Sequence, residues 1–466
     1  MSYSLTLISK CTLVVADMTE ILFTNAKIFD GNRFSTASCL RVSAGKIIEI
    51  GNDLQPQQDE LQFDLEGKWL LPGLVDCHVH FREPGLERKE GYVSGSRGAL
   101  HGGVTTVCEI QNNPPLMASP EVLQSKLDSL RNKSYVDYVP YGSLVEESLP
   151  HLPQLAKLCP AVKCFLGCST GAGGVADAAT LKRWFSAAAD ADLKVVAHCE
   201  DNRIMDAAAA ALADDAELNS RHDLLRSTEA EVESIREAIS VAIDVNCKLH
   251  VFHISTAAGA QLVIEAAAAG HPVTGTTAPH YLLAEAEQAH AISKNRFKVN
   301  PSIKYAADSE GLAALLAKRL LAGIGTDHAP HPLDEKDRPY NKAPSGFPSV
   351  DLLLPLVVAA ADRHGVDVED MLHAVTAAPA IEFGLTQKGQ IAVGADADLV
   401  VTDPNRECTV DASKLPSKSR WSPYDGWSLR AWPQQVYLRG VLTFDSGEFV
   451  SPAKGQPLFD ERRVVS

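Results

Sequence analysis

The 466-residue chain is 45% hydrophobic and 22% charged, a composition typical of a globular protein. Its length fits one barrel-sized domain plus a smaller domain. The formal net charge of −16 at pH 7 argues against nucleic acid and anionic membrane surfaces as partners, although a local arginine can still create a pocket for an anionic small molecule.

The N-terminal segment, residues 1–20, is mildly apolar, but it lacks a basic start and Lys10 interrupts it. We therefore interpret it as an extension and not as a signal peptide. No apolar run in the sequence is long enough to span a bilayer without interruption. The ten cysteines are scattered and form no CxxC pair, which favours a reduced, cytoplasmic enzyme.

Short β-strands separated by turn residues are predicted near both ends of the chain. The first group comprises residues 21–30, 40–42 and 46–50, and the second comprises residues 394–402 and 435–444. Because chain termini often lie close together, we expect the two groups to complete one small β-sandwich domain.

Between these groups, apolar strand candidates alternate with helical patterns. The strand candidates are residues 74–80, 103–110, 135–142, 162–167, 194–199, 248–254, 272–277 and 320–326, and the clearest helical patterns are 177–191, 229–246, 257–270 and 309–320. Asp177 and Ser309 are residue types suited to cap the starts of their helices. Eight such units predict an α/β fold, a (β/α)8 TIM-type barrel. The rival, a doubly wound open sheet, usually has fewer strands and often a glycine-rich phosphate turn, and no such turn is obvious.

These patterns predict how the chain is divided into domains. The predicted segments are an N-terminal extension (1–20), the first part of the β-domain (21–71), the barrel (72–387) and the second part of the β-domain (388–466).

The most informative stretch runs from Asp76 to Arg82 and follows an apolar run. In an extended strand alternate side chains share a face, so we expect His78, His80 and Arg82 to point the same way. Two imidazoles at this spacing suit a divalent metal, and an arginine beside them can hold an anion. An isolated His-x-His is more often an incidental pair in a core strand. The metal-site interpretation therefore depends on the other polar residues found at strand ends.

Further polar residues stand within or just after the other strand candidates, and in such barrels the chemistry sits at the C-terminal ends of the strands. They are Asn112, Asn113, Lys163, His198, His253, His280, Asp327 and His331. Each histidine alone is more often a hydrogen-bonded packing residue. Together they indicate a metal centre, because burying so many polar groups without ligands would cost roughly 1–3 kcal/mol apiece.

Lys163 lies within an apolar strand candidate, where burial lowers the pKa of an amine. A neutral amine can add carbon dioxide and become a carbamate, an anion that can bridge two metals. The alternatives are a lysine paired with a carboxylate or one that reaches toward solvent. The sequence does not decide between these interpretations.

Two motifs carry a resemblance to a known family. The motifs are His78-Val-His-Phe-Arg-Glu-Pro-Gly85 and Gly325-Thr-Asp-His-Ala-Pro-His331. They resemble the signatures of the amidohydrolase superfamily and, within it, of the longer type of the dihydroorotase family. The less specific flanking segments 71–76 and 389–399 are shared more widely across the superfamily. The resemblance extends from about residue 21 to the C-terminus.

The resemblance implies a cofactor of two Zn²⁺ per subunit, bridged by carboxylated Lys163 and a hydroxide. His78, His80 and Asp327 would hold the first zinc, and His198 and His253 the second. Asp327 would also be the catalytic proton carrier. Zinc, cobalt and manganese remain alternatives for the native metal.

The resemblance also implies substrate contacts. Arg82, Asn112 and His331 would grip a carboxylate, with Asn113 as an alternative to Asn112 because this chain departs from the family's Met-Pro-Asn-like turn. It further implies that Asn300 contacts the substrate and that the backbone at Ser345 and Gly346 touches the substrate ring. His280 matches a family Pro-His, with no catalytic role assigned.

The implied activity is the reversible, zinc-dependent opening of the ring of dihydroorotate to N-carbamoyl-L-aspartate in pyrimidine biosynthesis. The alternatives are an allantoinase, a dihydropyrimidinase or hydantoinase, or a non-catalytic relative that partners a transcarbamoylase. The expected partner is therefore a small anionic substrate, with no nucleic acid and no membrane. A homo-oligomer, a dimer or a tetramer, is the default expectation.

Overall fold

The structure is a computed structural model. It describes residues 20–169, 174–175, 177–215, 217–293 and 295–459, with only the backbone at residues 292 and 293. The predicted N-terminal extension lies outside the described residues except for its last residue.

Parallel strands form the centre of the molecule. They are β7 (Leu74–Val79), β8 (Val104–Glu109), β9 (Asp137–Pro140), β10 (Gly142–Ser143), β11 (Ala161–Leu166), β12 (Lys194–Cys199), β13 (Leu249–Val251) and β14 (Val273–Gly275), numbered after six strands of the β-domain given below. Strands β7 to β9 pair in one sheet and β10 to β14 in another, and only Tyr141 separates β9 from β10. These strands are therefore continuous parts of one barrel wall.

The predicted eighth strand, residues 320–326, closes the barrel without forming a regular ladder. Ile324 bridges Thr277 on one side, and His328 bridges Val79 on the other. The backbone N–H and the hydroxyl of Thr326 donate to the Asp76 carboxylate at 3.0 Å and 2.5 Å. A side chain thus replaces a backbone acceptor, which explains why only single bridges occur here.

The helices follow the strands and cover the barrel. They are α1 (Tyr92–His101), α2 (Pro120–Ser129), α3 (Leu152–Leu155), α4 (Ala178–Asp190), α5 (Asn202–Ala211), α6 (His222–Leu225), α7 (Thr228–Asp244), α8 (Ala257–Ala268), α9 (Pro279–Leu283), α10 (Ala286–Ser293), α11 (Ala306–Ala317), α12 (Leu333–Lys336), α13 (Leu353–His364), α14 (Val368–His373) and α15 (Ala377–Glu382). Within the described residues, no helix has both the length and the apolar character needed to cross a bilayer.

One of the two predicted caps is confirmed. The Asp177 carboxylate accepts the Thr180 N–H at 2.8 Å at the start of α4. Ser309 does not cap α11, because that helix begins three residues earlier, at Ala306. The Ser309 hydroxyl is instead buried and donates to the Leu282 carbonyl at 2.9 Å, a tertiary contact that no local pattern indicates.

Both ends of the chain build the smaller domain. Its strands are β1 (Ile21–Thr24), β2 (Lys27–Ile28), β3 (Cys39–Ser43), β4 (Lys46–Gly51), β5 (Leu61–Asp64), β6 (Trp69–Pro72), β15 (Leu399–Thr402), β16 (Glu407–Thr409), β17 (Ser428–Arg430), β18 (Pro433–Leu438), β19 (Val441–Asp445) and β20 (Glu448–Phe449). One sheet has the order β4-β3-β1-β5 and the other β2-β6-β15-β18-β19-β20, while β16 and β17 pair separately. Phe23, Leu40, Leu399 and Tyr437 share one core, so the predicted barrel with a β-sandwich domain is confirmed.

Two segments that were each predicted as one strand contain two strands in the structure. The predicted strand 435–444 is the hairpin of β18 and β19, and Arg439 and Gly440 at its turn have φ values of 46° and 72°. Such left-handed positions match the twist of a tight hairpin. The predicted strand 21–30 is divided differently: Asn25, with φ 52°, lies between β1 and β2, which belong to different sheets. The exact domain limits predicted above stay predictions.

Candidate metal centre and substrate pocket

A pocket lies at the C-terminal ends of the barrel strands. Its lining residues are His78, His80, Arg82, Asn112, Lys163, Phe165, Ser169, His198, His253, Val299, Asn300, Asp327, Ala329, Ser345 and Gly346. The structure thus brings together the predicted metal ligands and substrate contacts except His331, which lies behind Ser345. The candidates Asn113 and His280 are not among the lining residues.

The barrel strands explain how these side chains meet. Every residue of β7 is buried, including His78. Parallel pairing of β11 with β12 sets Lys163 beside Val196 and Phe165 beside His198, so alternate residues of neighbouring strands face the same interior. The regular alternation predicted through Arg82 is wrong in detail, because β7 ends at Val79 and Arg82 has a φ of 65°. Arg82 nevertheless lines the pocket.

His78, His80 and Asp327 form a compact group. The two Nε2 atoms are 3.3 Å apart, and Asp327 Oδ1 lies 3.4 Å from His78 Nε2 and 3.2 Å from His80 Nε2. His80 Nδ1 lies 2.9 Å from the Ile110 carbonyl, which assigns the proton to Nδ1 and leaves the Nε2 lone pair facing the group. These three residues could hold a metal ion, and their nitrogen and oxygen donors suit zinc.

His198 and His253 form a second group. His198 Nδ1 lies 3.2 Å from His253 Nε2. On its outer side, His198 Nε2 lies 3.0 Å from Glu200 Oε2. The rings of His78 and His253 are stacked at 5.1 Å between centroids, so the two groups adjoin.

Burial keeps these imidazoles neutral, as metal ligands must be. Burial lowers the pKa of His80 and His198 and lowers the pKa of His78 and His253 well below the usual value. The nearby Lys163 charge lowers the pKa of His78 further. Neutral nitrogens that face one another at about hydrogen-bond distance have lone pairs available for a cation.

Lys163 is 4% exposed, and burial lowers its pKa to about 8. Its Nζ lies 4.9 Å and 4.8 Å from the ring centroids of Phe165 and Phe252 and makes no hydrogen bond. Among the described residues, no carboxylate oxygen comes within 4.0 Å of it. Pairing with a carboxylate and reaching toward solvent are thus both disfavoured.

Three pocket residues other than glycine adopt left-handed backbone conformations. The φ values of Arg82, His253 and Asp327 are 65°, 43° and 49°. Such conformations cost of order 1–3 kcal/mol each and concentrate at functional sites. Two of the three residues, His253 and Asp327, are metal-ligand candidates, which supports the assignment of this pocket as the functional site.

The amide alternatives Asn112 and Asn113 are placed differently. Asn112 lines the pocket, and its Oδ1 accepts from Arg82 Nη1. Asn113 Nδ2 instead donates to the carbonyls of Pro84 at 2.9 Å and Pro114 at 3.1 Å. The geometry therefore favours Asn112 as the substrate contact.

Asn300, Ser345 and Gly346 form another part of the lining. Asn300 Oδ1 lies 2.9 Å from His222 Nε2, and the Ser345 carbonyl lies 3.1 Å from His331 Nε2. His331 is fully buried, and its Nδ1 lies 3.3 Å from Glu335 Oε2. The contact of His331 with a substrate carboxylate stays a prediction. In the structure, His331 contacts the backbone of Ser345, which lines the pocket.

The sequence analysis missed two residues that orient the site. Glu200 faces His198, and burial opposes ionisation of Glu200 while Arg226 and His198 outweigh burial and hold its pKa below the usual value. Asp76 accepts from Thr326, next to Asp327. The available signals were the carboxylate two residues after His198 and the buried carboxylate two residues before His78.

Fold and site together define the class of protein: a (β/α)8 barrel with a histidine–aspartate centre at the C-terminal ends of its strands. Residues 69–443 match the model described as "Amidohydrolase family". The chain therefore belongs to the amidohydrolase family, which confirms the predicted resemblance and the prediction that it is an enzyme of this kind.

Similar curated proteins include two named "Dihydroorotase". The one from Halobacterium salinarum is 34% identical over 418 residues, which cover 90% of this chain and 95% of the relative. The one from Bacillus cytotoxicus is 30% identical over 431 residues, which cover 91% of this chain and 98% of the relative.

Similar solved structures carry other names. The L-hydantoinase (dihydropyrimidinase) from Arthrobacter aurescens has a TM-score of 0.89 at 25% identity, covering 94% of this chain and 99% of that chain. The dihydropyrimidinase from Brevibacillus agri NCHU1002 has a TM-score of 0.85 at 23% identity, covering 95% of this chain and 99% of that chain, and this likeness shows the fold alone.

Proposed function

We propose that this chain is a cyclic amidohydrolase whose substrate is dihydroorotate, which it hydrolyses reversibly to N-carbamoyl-L-aspartate. The reaction belongs to pyrimidine biosynthesis. The observation that carries the choice of an anionic ring is that the buried Arg82 in the pocket has an amide partner, Asn112, but no carboxylate partner among the described residues.

Arg82 is 4% exposed, and its Nε makes no hydrogen bond. Within the part of the chain that the structure describes, no carboxylate oxygen lies within 4.0 Å of its guanidinium. Burial lowers its pKa to about 10, so Arg82 remains a cation at neutral pH. A buried cation is costly unless it is paired, and a substrate carboxylate would supply the partner. An uncharged cyclic amide would leave this charge unpaired.

The donor set fits a pair of divalent cations. His78, His80 and Asp327 would hold one, His198 and His253 the other, and the carbamate of Lys163 would lie between them. The fit rests on the facing neutral nitrogens and on the unpartnered Lys163 nitrogen. When bound, the cations would lower the pKa of water from 15.7 to about 7 and polarise the substrate carbonyl.

Asp327 would move the proton. It is 7% exposed and sits where the two histidine groups meet the pocket. Its carboxylate accepts a proton from the attacking water as the carbon–oxygen bond forms. It then donates that proton to the ring nitrogen as the carbon–nitrogen bond breaks. Meanwhile Arg82 and Asn112 would hold the substrate carboxylate, so that the reacting groups meet in a fixed orientation.

The rival function is hydrolysis of an uncharged ring, as the names of the similar solved structures suggest. An allantoinase or a dihydropyrimidinase would use the same metals and the same Lys163. A non-catalytic relative is a weaker rival, since the sequence contains every metal ligand that the resemblance implies.

The deciding experiment is an assay of the zinc-loaded protein with L-dihydroorotate, allantoin and dihydrouracil in parallel. We expect selective turnover of dihydroorotate. Turnover of an uncharged ring alone would refute the substrate assignment and keep the metal centre. No turnover with zinc bound would refute the catalytic proposal itself.

Replacing Arg82 with methionine should raise the KM for dihydroorotate about 10- to 100-fold, because a hydrogen bond to a charged group contributes about 1.5–3 kcal/mol. Zinc content, measured by atomic absorption, should stay at the wild-type value. Exposed Arg131, which pairs with Asp128, gives the control variant Arg131→Met. An unchanged KM in Arg82→Met would contradict the anion-clamp role.

A further inference from the structure

Two loops carry the predicted ring contacts to the pocket. The first spans residues 295–300 and ends at Asn300. The second spans residues 336–346 and ends at Ser345 and Gly346. Asn300, Ser345 and Gly346 all line the pocket, so the spacing of the two loops sets the room available for a ring.

Lys336, the last residue of α12, connects these loops. It is fully buried, and its Nζ donates to the carbonyls of Lys298 at 3.2 Å, Pro344 at 2.9 Å and Gly346 at 3.0 Å. Three acceptors match the three N–H groups of an ammonium. Among the described residues, no carboxylate oxygen lies within 4.0 Å of this nitrogen. Burial lowers the pKa of Lys336 well below its usual value, while the three backbone oxygens favour the protonated form of its nitrogen.

Further bonds run between the same two loops. The Gly346 N–H donates to the Lys298 carbonyl at 2.8 Å. Lys298 Nζ donates to the carbonyls of Tyr340 at 2.8 Å and Ala343 at 2.7 Å. The second loop is thus attached to the first along its length, and Lys336 adds contacts at Pro344 and Gly346, the end of that loop that lines the pocket.

The wall has little freedom to move. Gly346 has a φ of 117°, and a Cβ there would lie 2.6 Å from the Ala329 carbonyl. Ala329 lies two residues after Asp327. Trp421 covers the other side of Lys336, with its ring centroid 5.7 Å from Nζ, and is itself 5% exposed. A change at Lys336 will therefore be transmitted to the pocket and not absorbed by solvent.

We propose that Lys336 is a positioning residue for the substrate ring: its side-chain nitrogen ties the 295–300 loop to the 336–346 loop and so fixes the Ser345–Gly346 wall against the ring. It touches neither the metal ligands nor the substrate carboxylate. The inference rests on the proposed function only for which cyclic amide is bound, since a wall that contacts the ring serves charged and uncharged rings alike.

The test compares Lys336→Met, Lys336→Arg and the control Lys342→Met, a substitution of an exposed lysine in the same loop. For Lys336→Met we expect the KM of the ring substrate to rise at least about tenfold, because a displaced wall loses contacts that bind the ring equally in the ground state and the transition state. The kcat should change less than about threefold, and zinc content should not change. Hydrogen exchange should become faster in the peptide that contains Gly346.

For Lys336→Arg we expect an intermediate rise in KM and intermediate exchange, because a rigid planar guanidinium cannot direct three N–H groups from one nitrogen. If Lys336→Met does not fold, Lys336→Arg decides alone. A folded Lys336→Met with wild-type KM and exchange would overturn the proposal. A folded Lys336→Met that loses kcat and zinc content along with KM would also overturn it, since that would mean general damage. If Lys336→Met does not fold, wild-type KM and exchange in Lys336→Arg would overturn the proposal.

The wild-type assay separates this proposal from the proposed function. If the wild type hydrolyses an uncharged ring and not dihydroorotate, the same variants are measured with that ring. A tenfold rise in its KM would support the role of Lys336 even though the substrate assignment had failed.

Discussion

Replacing Asp327 with asparagine is expected to lower kcat by roughly 10²- to 10⁴-fold, the range that a positioned general acid or base contributes. The amide keeps an oxygen that can face His78 and His80, but it cannot accept the proton of the attacking water. Asparagine also tolerates the left-handed φ of 49° at this position. The measurements are kcat for dihydroorotate and zinc per subunit, and we expect much of the zinc to remain.

The control is Asp334→Asn, because Asp334 is an exposed carboxylate close by in the chain. It should retain wild-type turnover. Near-wild-type turnover in Asp327→Asn would contradict the proton-carrier role, whereas complete loss of zinc would assign Asp327 a purely ligating role.

Lys163→Ala is expected to lose both metal ions and all measurable turnover. The reason is that alanine cannot form the bridging carbamate, which leaves His198 and His253 as the only ligands of the second ion. Metal content, measured on the purified variant after zinc loading and desalting, tests this directly. Adding a short carboxylic acid should restore part of the metal content and of the turnover, because it can occupy the position of the carbamate.

Exposed Lys157, shortly before β11 in the chain, gives the control Lys157→Ala, which should bind metal normally. Full metal occupancy in Lys163→Ala without added acid would refute the bridging role. Metal loss without rescue by any short acid would point to collapse of the strand and away from a carbamate.

The His-x-His spacing and the polar residues at strand ends predicted the site, because strand alternation and burial are local properties that a sequence records. The prediction that Ser309 caps a helix was wrong, because its hydroxyl donates to the Leu282 carbonyl, which is distant in the sequence. The predicted eighth strand does not form a regular ladder, because the backbone N–H and the hydroxyl of Thr326 donate to the Asp76 side chain.

The sequence by itself determined the barrel class and the donor types, since these depend on periodicity and on which side chains are present, and its two motifs carried the family resemblance. Only the tertiary structure decided which nitrogen of each histidine faces the centre, that Asn112 and not Asn113 lines the pocket, and that Lys336 binds three carbonyls of separate segments. The physical reason is that these features depend on how distant segments meet when the barrel closes, and local patterns carry no record of such contacts.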